Sequence, residues 1–311
     1  MSSGVNNVIK TKAKRIYQRL RRKTRRRDDA ALLLLGKQMC WNVSSLPVNT
    51  DFRRVGFSVF SQWDEDGIIQ YLINKIPIEN KTFIEFGVEN YEESNTRFLL
   101  LNNHLQGMVL DACEPDIEYI HSDPIHWQFD LQAKCAWITR DNIDTLLRDS
   151  GFDADLGLLS IDIDGNEYWI WEAIRFLRPR IIIVEYNSLF GLAPVTVPYS
   201  AVFDRSAAHY SRLYYGSSLA ALHHLGQQKG YVLLGSNIWG HNAFFIRDDI
   251  AEDFQAISLD RAYVQSKFRE SRDFAGHLSF VRGADRVKLI QHLPVTNVIT
   301  GMTAPLQDFL A

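Results

Sequence analysis

The stretch Arg180-Ile-Ile-Ile-Val-Glu-Tyr186 decides the fold. Four consecutive β-branched residues with no polar interruption suit a strand that is covered on both faces. Upstream, Leu156-Gly-Leu-Leu-Ser-Ile-Asp162 is a second apolar run of strand length. Between the two, Ile170, Ile174 and Leu177 recur at helical spacing, so the unit reads strand, helix, strand. The same rhythm extends toward the N-terminus. Thr82-Phe-Ile-Glu-Phe-Gly87 and Gly107-Met-Val-Leu-Asp111 read as strands, and Ser94 can cap a helix carrying Phe98, Leu99 and Leu101. Cys135-Ala-Trp-Ile-Thr139 reads as a further strand and 141–147 as a short helix. Repetition of this kind predicts a parallel sheet with helices on both faces, an α/β protein.

Past Tyr186 the rhythm changes. Residues 188–216 form a long connection, and a helix follows over 217–229. Two strand-like runs, Tyr231–Gly235 and Asn242–Arg247, are then separated by only six residues. That is too short for a crossover and predicts an antiparallel hairpin. The last sixty or so residues read as helices and loops attached to the same body.

Composition narrows the class. With 311 residues, 46% hydrophobic and 23% charged, the chain can bury a substantial core. The three cysteines, Cys40, Cys113 and Cys135, include no C-x-x-C pair. A disulfide framework and a thiolate zinc site are therefore disfavoured, and a reducing, cytoplasmic setting is expected. The early apolar run Ala30 to Leu35 is far shorter than the roughly 20 residues that cross a bilayer. It follows an arginine run with no small-residue cleavage pattern, unlike a secretory signal.

Charge divides the chain unevenly. Residues 1–27 hold eleven of the 34 Lys and Arg and no acid, which leaves 23 basic against 37 acidic residues elsewhere, a balance of -14. Residues 1–29 are accordingly expected to be a basic arm without enough apolar surface to fold alone. Residues 30–311 are expected to form one domain, with a core over about 57–250 and a helical extension over 251–311. The arm is either a solvated tail or an attachment to anionic membrane lipid, which would make the protein peripheral at the membrane. Nucleic acid is the weaker alternative.

Open α/β sheets bind ligands at the carboxyl ends of their strands. Those ends carry Glu85 and Gly87, Asp111, the segment Thr139 to Asn142, Asp162 and Asp164, and Glu185 and Asn187. Four stretches in the same region, Ser61-Gln-Trp-Asp-Glu-Asp-Gly67, Phe83-Ile-Glu-Phe-Gly87, Leu159-Ser-Ile-Asp-Ile-Asp-Gly165 and Ile183-Val-Glu-Tyr-Asn187, resemble the landmarks of FkbM-like methyltransferases. The resemblance covers roughly residues 57–247. It implies the Rossmann-like methyltransferase sheet, S-adenosylmethionine as cofactor and O-methylation of a saccharide or glycoconjugate. It places Glu85, Gly87 and Asn95 around the cofactor loop, Asp111 on the ribose hydroxyls, Asn142 near the adenine and Asp162 beside the transferable methyl.

The residues bear on these roles by themselves. A carboxylate on the second strand suits a ribose diol, and Gly87 allows close approach of backbone to a ligand. The loop departs from the usual spaced glycines, since Glu89, Glu92 and Glu93 would repel a phosphate. Asp162 and Asp164 lie on one face of an extended chain. With Glu185 and Asn187 they can hold Mg²⁺ or another divalent cation; Asp164 can equally cap the helix that begins near Asn166. His241, in the hairpin loop, and the two aspartates are the candidates for orienting and deprotonating an acceptor hydroxyl. Two rivals stand beside methyl transfer: a metal-dependent glycosyltransferase using Asp162-Ile-Asp164, and a non-catalytic Rossmann-like binding module.

Overall fold

A computed structural model describes residues 29–310, and the basic arm anticipated over residues 1–29 lies, except for Asp29, outside them. The described residues form ten strands: β1 (Thr82–Phe86), β2 (Gln106–Asp111), β3 (Leu131–Cys135), β4 (Leu158–Ile161), β5 (Ile181–Glu185), β6 (Val195–Thr196), β7 (Tyr231–Ser236), β8 (Asn242–Arg247), β9 (Pro294–Asn297) and β10 (Thr303–Pro305). Seven make one sheet in the order β3-β2-β1-β4-β5-β8-β7. Strands β1 to β5 pair in parallel, and β8 runs antiparallel to both neighbours. This is the Rossmann-like methyltransferase sheet that the strand rhythm and closing hairpin predict.

The apolar runs explain the centre of the sheet. Every residue of β1, β4 and β5 is buried, because helices cover both faces. One face packs Ile84, Leu159, Ile182 and Phe245 against Trp171, Leu222 and Ile143. The other packs Phe83, Leu158, Ile183 and Phe244 against Ile68, Leu72 and Leu100. Alternate residues of one strand thus serve opposite cores, as the pleat requires. The strand order switches direction between the parallel neighbours β1 and β4, and the crevice at their carboxyl ends is the natural ligand site.

Two expectations need correction. The third strand is Leu131–Cys135, with Cys135 its last residue, so 136–139 is not strand. Its edge position explains the error. An edge strand needs only alternate burial, so Leu131 and Ala133 face inward while Gln132 and Lys134 are half-exposed, and the apolar Ala136–Ile138 turns instead toward the crevice. The C-terminal extension is also more than helices and loops. It contains the helix Ala284–Ile290 and the pair β9–β10, which joins β6 in an antiparallel sheet ordered β10-β9-β6. Because β6 lies in the long connection after β5, the extension braces that connection through a third core that includes Phe190, Val195, Ile290 and Val295.

Candidate functional site

The crevice encloses about 510 Å³. Its floor is made by strand ends, and its rim by the loops after β1 and β4, the long connection, the β7–β8 loop and the extension.

Gly87 adopts φ +71°, and a β-carbon there would stand 1.6 Å from the carbonyl oxygen of Asp162. The loops after β1 and β4 are therefore in backbone contact, which only glycine permits. Glu85 is 3% exposed. Its carboxylate accepts from the amides of Asn95 (2.9 Å) and Thr96 (3.0 Å) and from the Thr96 hydroxyl (2.5 Å). It thus anchors the start of the helix Arg97–Asn103, and burial raises its pKa. Asn95 lines the crevice and donates to Ser160 Oγ at 3.1 Å. Asp111 closes β2, where its two oxygens accept from the amides of Glu89 and Cys113, each at 2.8 Å. Burial, then the nearby charges of Asp116, Asp111 and Glu93, raise the pKa of Glu89, since several carboxylates crowd the mouth of this loop.

Two expected contacts fall elsewhere. Asn142 is absent from the crevice lining. Its side chain accepts from Thr139 N and donates to Trp137 O, both at 2.8 Å, so it shapes the loop whose Trp137 and Ile138 face the crevice. Asn187 is likewise turned away from the carboxylates. Its amide nitrogen donates to Leu213 O and Tyr215 O, and its oxygen accepts from Leu189 N. A short polar residue at a strand end competes for neighbouring backbone, and both asparagines do so.

The other three members of the anticipated cation set do converge. Asp162, Asp164 and Glu185 each offer an oxygen within 4.8 Å of the others. Glu185 is 8% exposed, and its Oε2 has no hydrogen-bond partner. Burial, then the charges of Asp164 and Glu167, push Asp162 well above the usual carboxylate range. Burial, then Asp162, does the same to Glu185. Asp164, at φ +56°, is exposed and paired with Arg205.

Two further residues govern this cluster. Arg205 bonds Asp164, lies 3.8 Å over the Tyr215 ring and donates to Arg212 O at 2.7 Å. Glu167 is fully buried. Its Oε1 accepts from Ile163 N (3.1 Å) and Gly165 N (2.7 Å), holding the loop that carries both aspartates, and burial pushes its pKa up to about 7. Neither was singled out from the sequence. Arg205 sits in an unpatterned connection, although Glu167 two residues after Gly165 could have been read as a loop anchor.

His241 is 6% exposed, its Nε2 has no partner, and burial followed by the charges of Arg205 and Arg286 lowers its pKa to about 4. It stacks near Trp63, which itself stacks on Trp239 at 4.4 Å, and meets Phe268 edge-on at 4.5 Å. The landmark Ser61–Gly67 builds this wall. Asp66 gathers the amides of Val59, Phe60 and Ser61. Glu65 accepts from Trp63 N, Asn237 Nδ2 and Asn242 Nδ2, tying the segment to the β7–β8 hairpin.

No protein-family model matches the chain, and no curated protein matches it in sequence. Among solved structures, it is similar to class I S-adenosylmethionine-dependent methyltransferases. One is the N-terminal domain of EvdMO1 with S-adenosylhomocysteine bound (11% identity, 70% of this chain and 94% of that chain, TM-score 0.40). Another is an S-adenosylmethionine-dependent methyltransferase from Clostridium acetobutylicum (9% identity, 64% and 92%, TM-score 0.38). A third is PKMT2 from Rickettsia typhi in complex with S-adenosylhomocysteine (11% identity, 56% and 51%, TM-score 0.38). The match thus spans about half the length of the Rickettsia protein. These likenesses are distant, and the fold assignment stands on the chain's own strand order.

Proposed function

We propose that this protein is an FkbM-like methyltransferase that moves the methyl group of S-adenosylmethionine to a hydroxyl of a small polar acceptor, a saccharide or glycoconjugate of the kind met in polysaccharide modification. The observation that carries the reading is the charge of the crevice. Asp111 and Glu89 flank the loop after β1, and Asp162 and Glu185, which burial and mutual repulsion keep from both ionising, lie behind it. Such a field attracts a sulfonium cation and repels a diphosphate. The same field gives the glycosyltransferase reading nothing in its favour, since a nucleotide sugar would bring a diphosphate into it.

In this reading Asp111 accepts from the ribose hydroxyls, and Gly87 with Asn95 lets the cofactor lie against backbone. When bound, S-adenosylmethionine would supply its methyl group to the acceptor oxygen and leave as a neutral thioether. The hydroxyl proton passes to Nε2 of His241, neutral at pH 7 and unpartnered, or to the Asp162–Glu185 carboxylates. Glu167 and Arg205 hold the aspartate loop in place while this occurs. Trp63 and Phe268 offer flat apolar faces for a sugar ring.

The donor set also fits a divalent cation, Mg²⁺ or a relative: three carboxylates converge, and one buried oxygen lacks a partner. Asp162, Asp164 and Glu185 would hold it, and when bound it would acidify an acceptor hydroxyl. The three cysteines are unpaired, which supports placing the protein in the cytoplasm. Incubation with methyl-labelled S-adenosylmethionine and a panel of saccharides tests the proposal. Label is expected in a saccharide product; labelled cofactor that binds but never turns over on any hydroxyl acceptor would leave a binding module instead.

A further inference from the structure

The helix over 29–44 is fixed to the body by one face and bare on the other. Its inward positions follow helical spacing. Gly36 fits so closely against Phe98 and Val59 that a β-carbon would stand 2.7 Å from the Phe98 ring. Val43 is 2% exposed, and Cys40 donates to Gln70 Oε1 at 3.4 Å. With that face docked, the opposite one points to solvent, and there the exposed Gln38 and Asn42 stand among large apolar residues. Leu34 is 71%, Leu35 65% and Trp41 70% exposed. The charged residues of 29–44 are Asp29, within 3.7 Å of Arg97, and the exposed Lys37.

Scattered exposed apolar residues are ordinary, but several on one helical face mark a contact surface. Its chemistry is indicated by what precedes it. Residues 10–27 carry eleven Lys and Arg and no acid. Leucine and tryptophan on one helical face, beside a polybasic run, match the interfacial region of an anionic bilayer. No helix of the described residues is long and apolar enough to cross a membrane. We infer that this face rests on anionic lipid. Leu34, Leu35 and Trp41 enter the acyl boundary, Lys37 contacts the headgroups, and the basic composition of residues 10–27 adds electrostatic attraction. A nucleic acid would leave the leucines unused, and a second copy of the chain would leave the cations unused.

The test uses the full chain and vesicles of phosphatidylcholine with or without phosphatidylserine. The wild-type protein should sediment with the anionic vesicles and weakly with neutral ones, and added salt should reduce binding. The variant Leu34→Gln/Leu35→Gln/Trp41→Gln alters exposed side chains alone and should keep its circular dichroism. Its partition coefficient should fall roughly a hundredfold, as expected for losing partial burial of three large apolar groups. Equal binding of wild type and variant would overturn the inference. So would a wild-type dimer that the variant converts to monomer without vesicle binding, or retention on RNA in preference to lipid.

Discussion

The backbone carbonyl of Asp162 closes directly on Gly87, 1.6 Å from where a β-carbon would stand. This contact joins the loop after β1, assigned to the cofactor, to the loop after β4, assigned to the reacting group. Two loops that pack backbone to backbone cannot move independently, so the place proposed for the cofactor and the position of Asp162 are set together.

Substituting Gly87→Ala should therefore damage stability and cofactor binding at once. The new methyl group would collide with a carbonyl oxygen, and φ +71° disfavours any side chain. A loss of about 3 kcal/mol or more is expected from denaturant unfolding. Wild-type stability in this variant would show that the two loops can separate.

Asp111→Ala should weaken S-adenosylhomocysteine binding by about 1–3 kcal/mol in calorimetry, the range for hydrogen bonds to a charged group. The variant also loses two amide contacts, from Glu89 and Cys113. Asp111→Asn, which keeps one acceptor oxygen, should recover part of the affinity. Unchanged affinity in both variants would remove Asp111 from the ribose site.

Glu167 gives the stability a pH dependence of definite sign. Its folded pKa, about 7, lies above the ordinary 4.5. The native state therefore holds a proton that the unfolded chain releases, and the stabilisation present below about pH 4.5 is lost as pH rises through about 7. Glu167→Gln keeps an oxygen for the Ile163 and Gly165 amides without the titration. Denaturant unfolding at pH 5 and pH 8 should show the variant gaining on wild type at the higher pH. A constant difference between the two proteins would place the titration elsewhere.

If a cation occupies the carboxylate cluster, Mn²⁺ should bind the wild type, as followed by electron paramagnetic resonance, and Glu185→Gln should reduce that affinity at least tenfold, about 1.4 kcal/mol. Identical Mn²⁺ binding by both proteins would exclude Glu185 as a ligand.

Much of this architecture was legible in the residues. Ile181 to Val184 announces a doubly covered strand, and the six-residue link before Asn242 forces the hairpin. Strand ends were legible for the same reason, so Gly87, Asp111, Asp162 and Glu185 meet in one crevice. Periodicity fails where burial is partial, and the edge strand β3 was placed four residues late. It also fails where long-range pairing decides structure, as for β9, whose partners include β6 a hundred residues earlier. Residue type alone did not foretell that Asn142 and Asn187 would turn to nearby backbone. Nor did it foretell that Arg205, 41 residues after Asp164, would pair with it.

We propose that the crevice takes a cofactor bearing a sulfur cation and no phosphate. Calorimetric titration of the full chain with S-adenosylmethionine, S-adenosylhomocysteine and, with Mn²⁺ present, nucleoside diphosphates tests it most directly. Saturable one-to-one binding of both sulfur compounds, with no heat from the diphosphates, is the predicted result. Binding of a nucleoside diphosphate with Mn²⁺, and of neither sulfur compound, would rule out a methyltransferase site here.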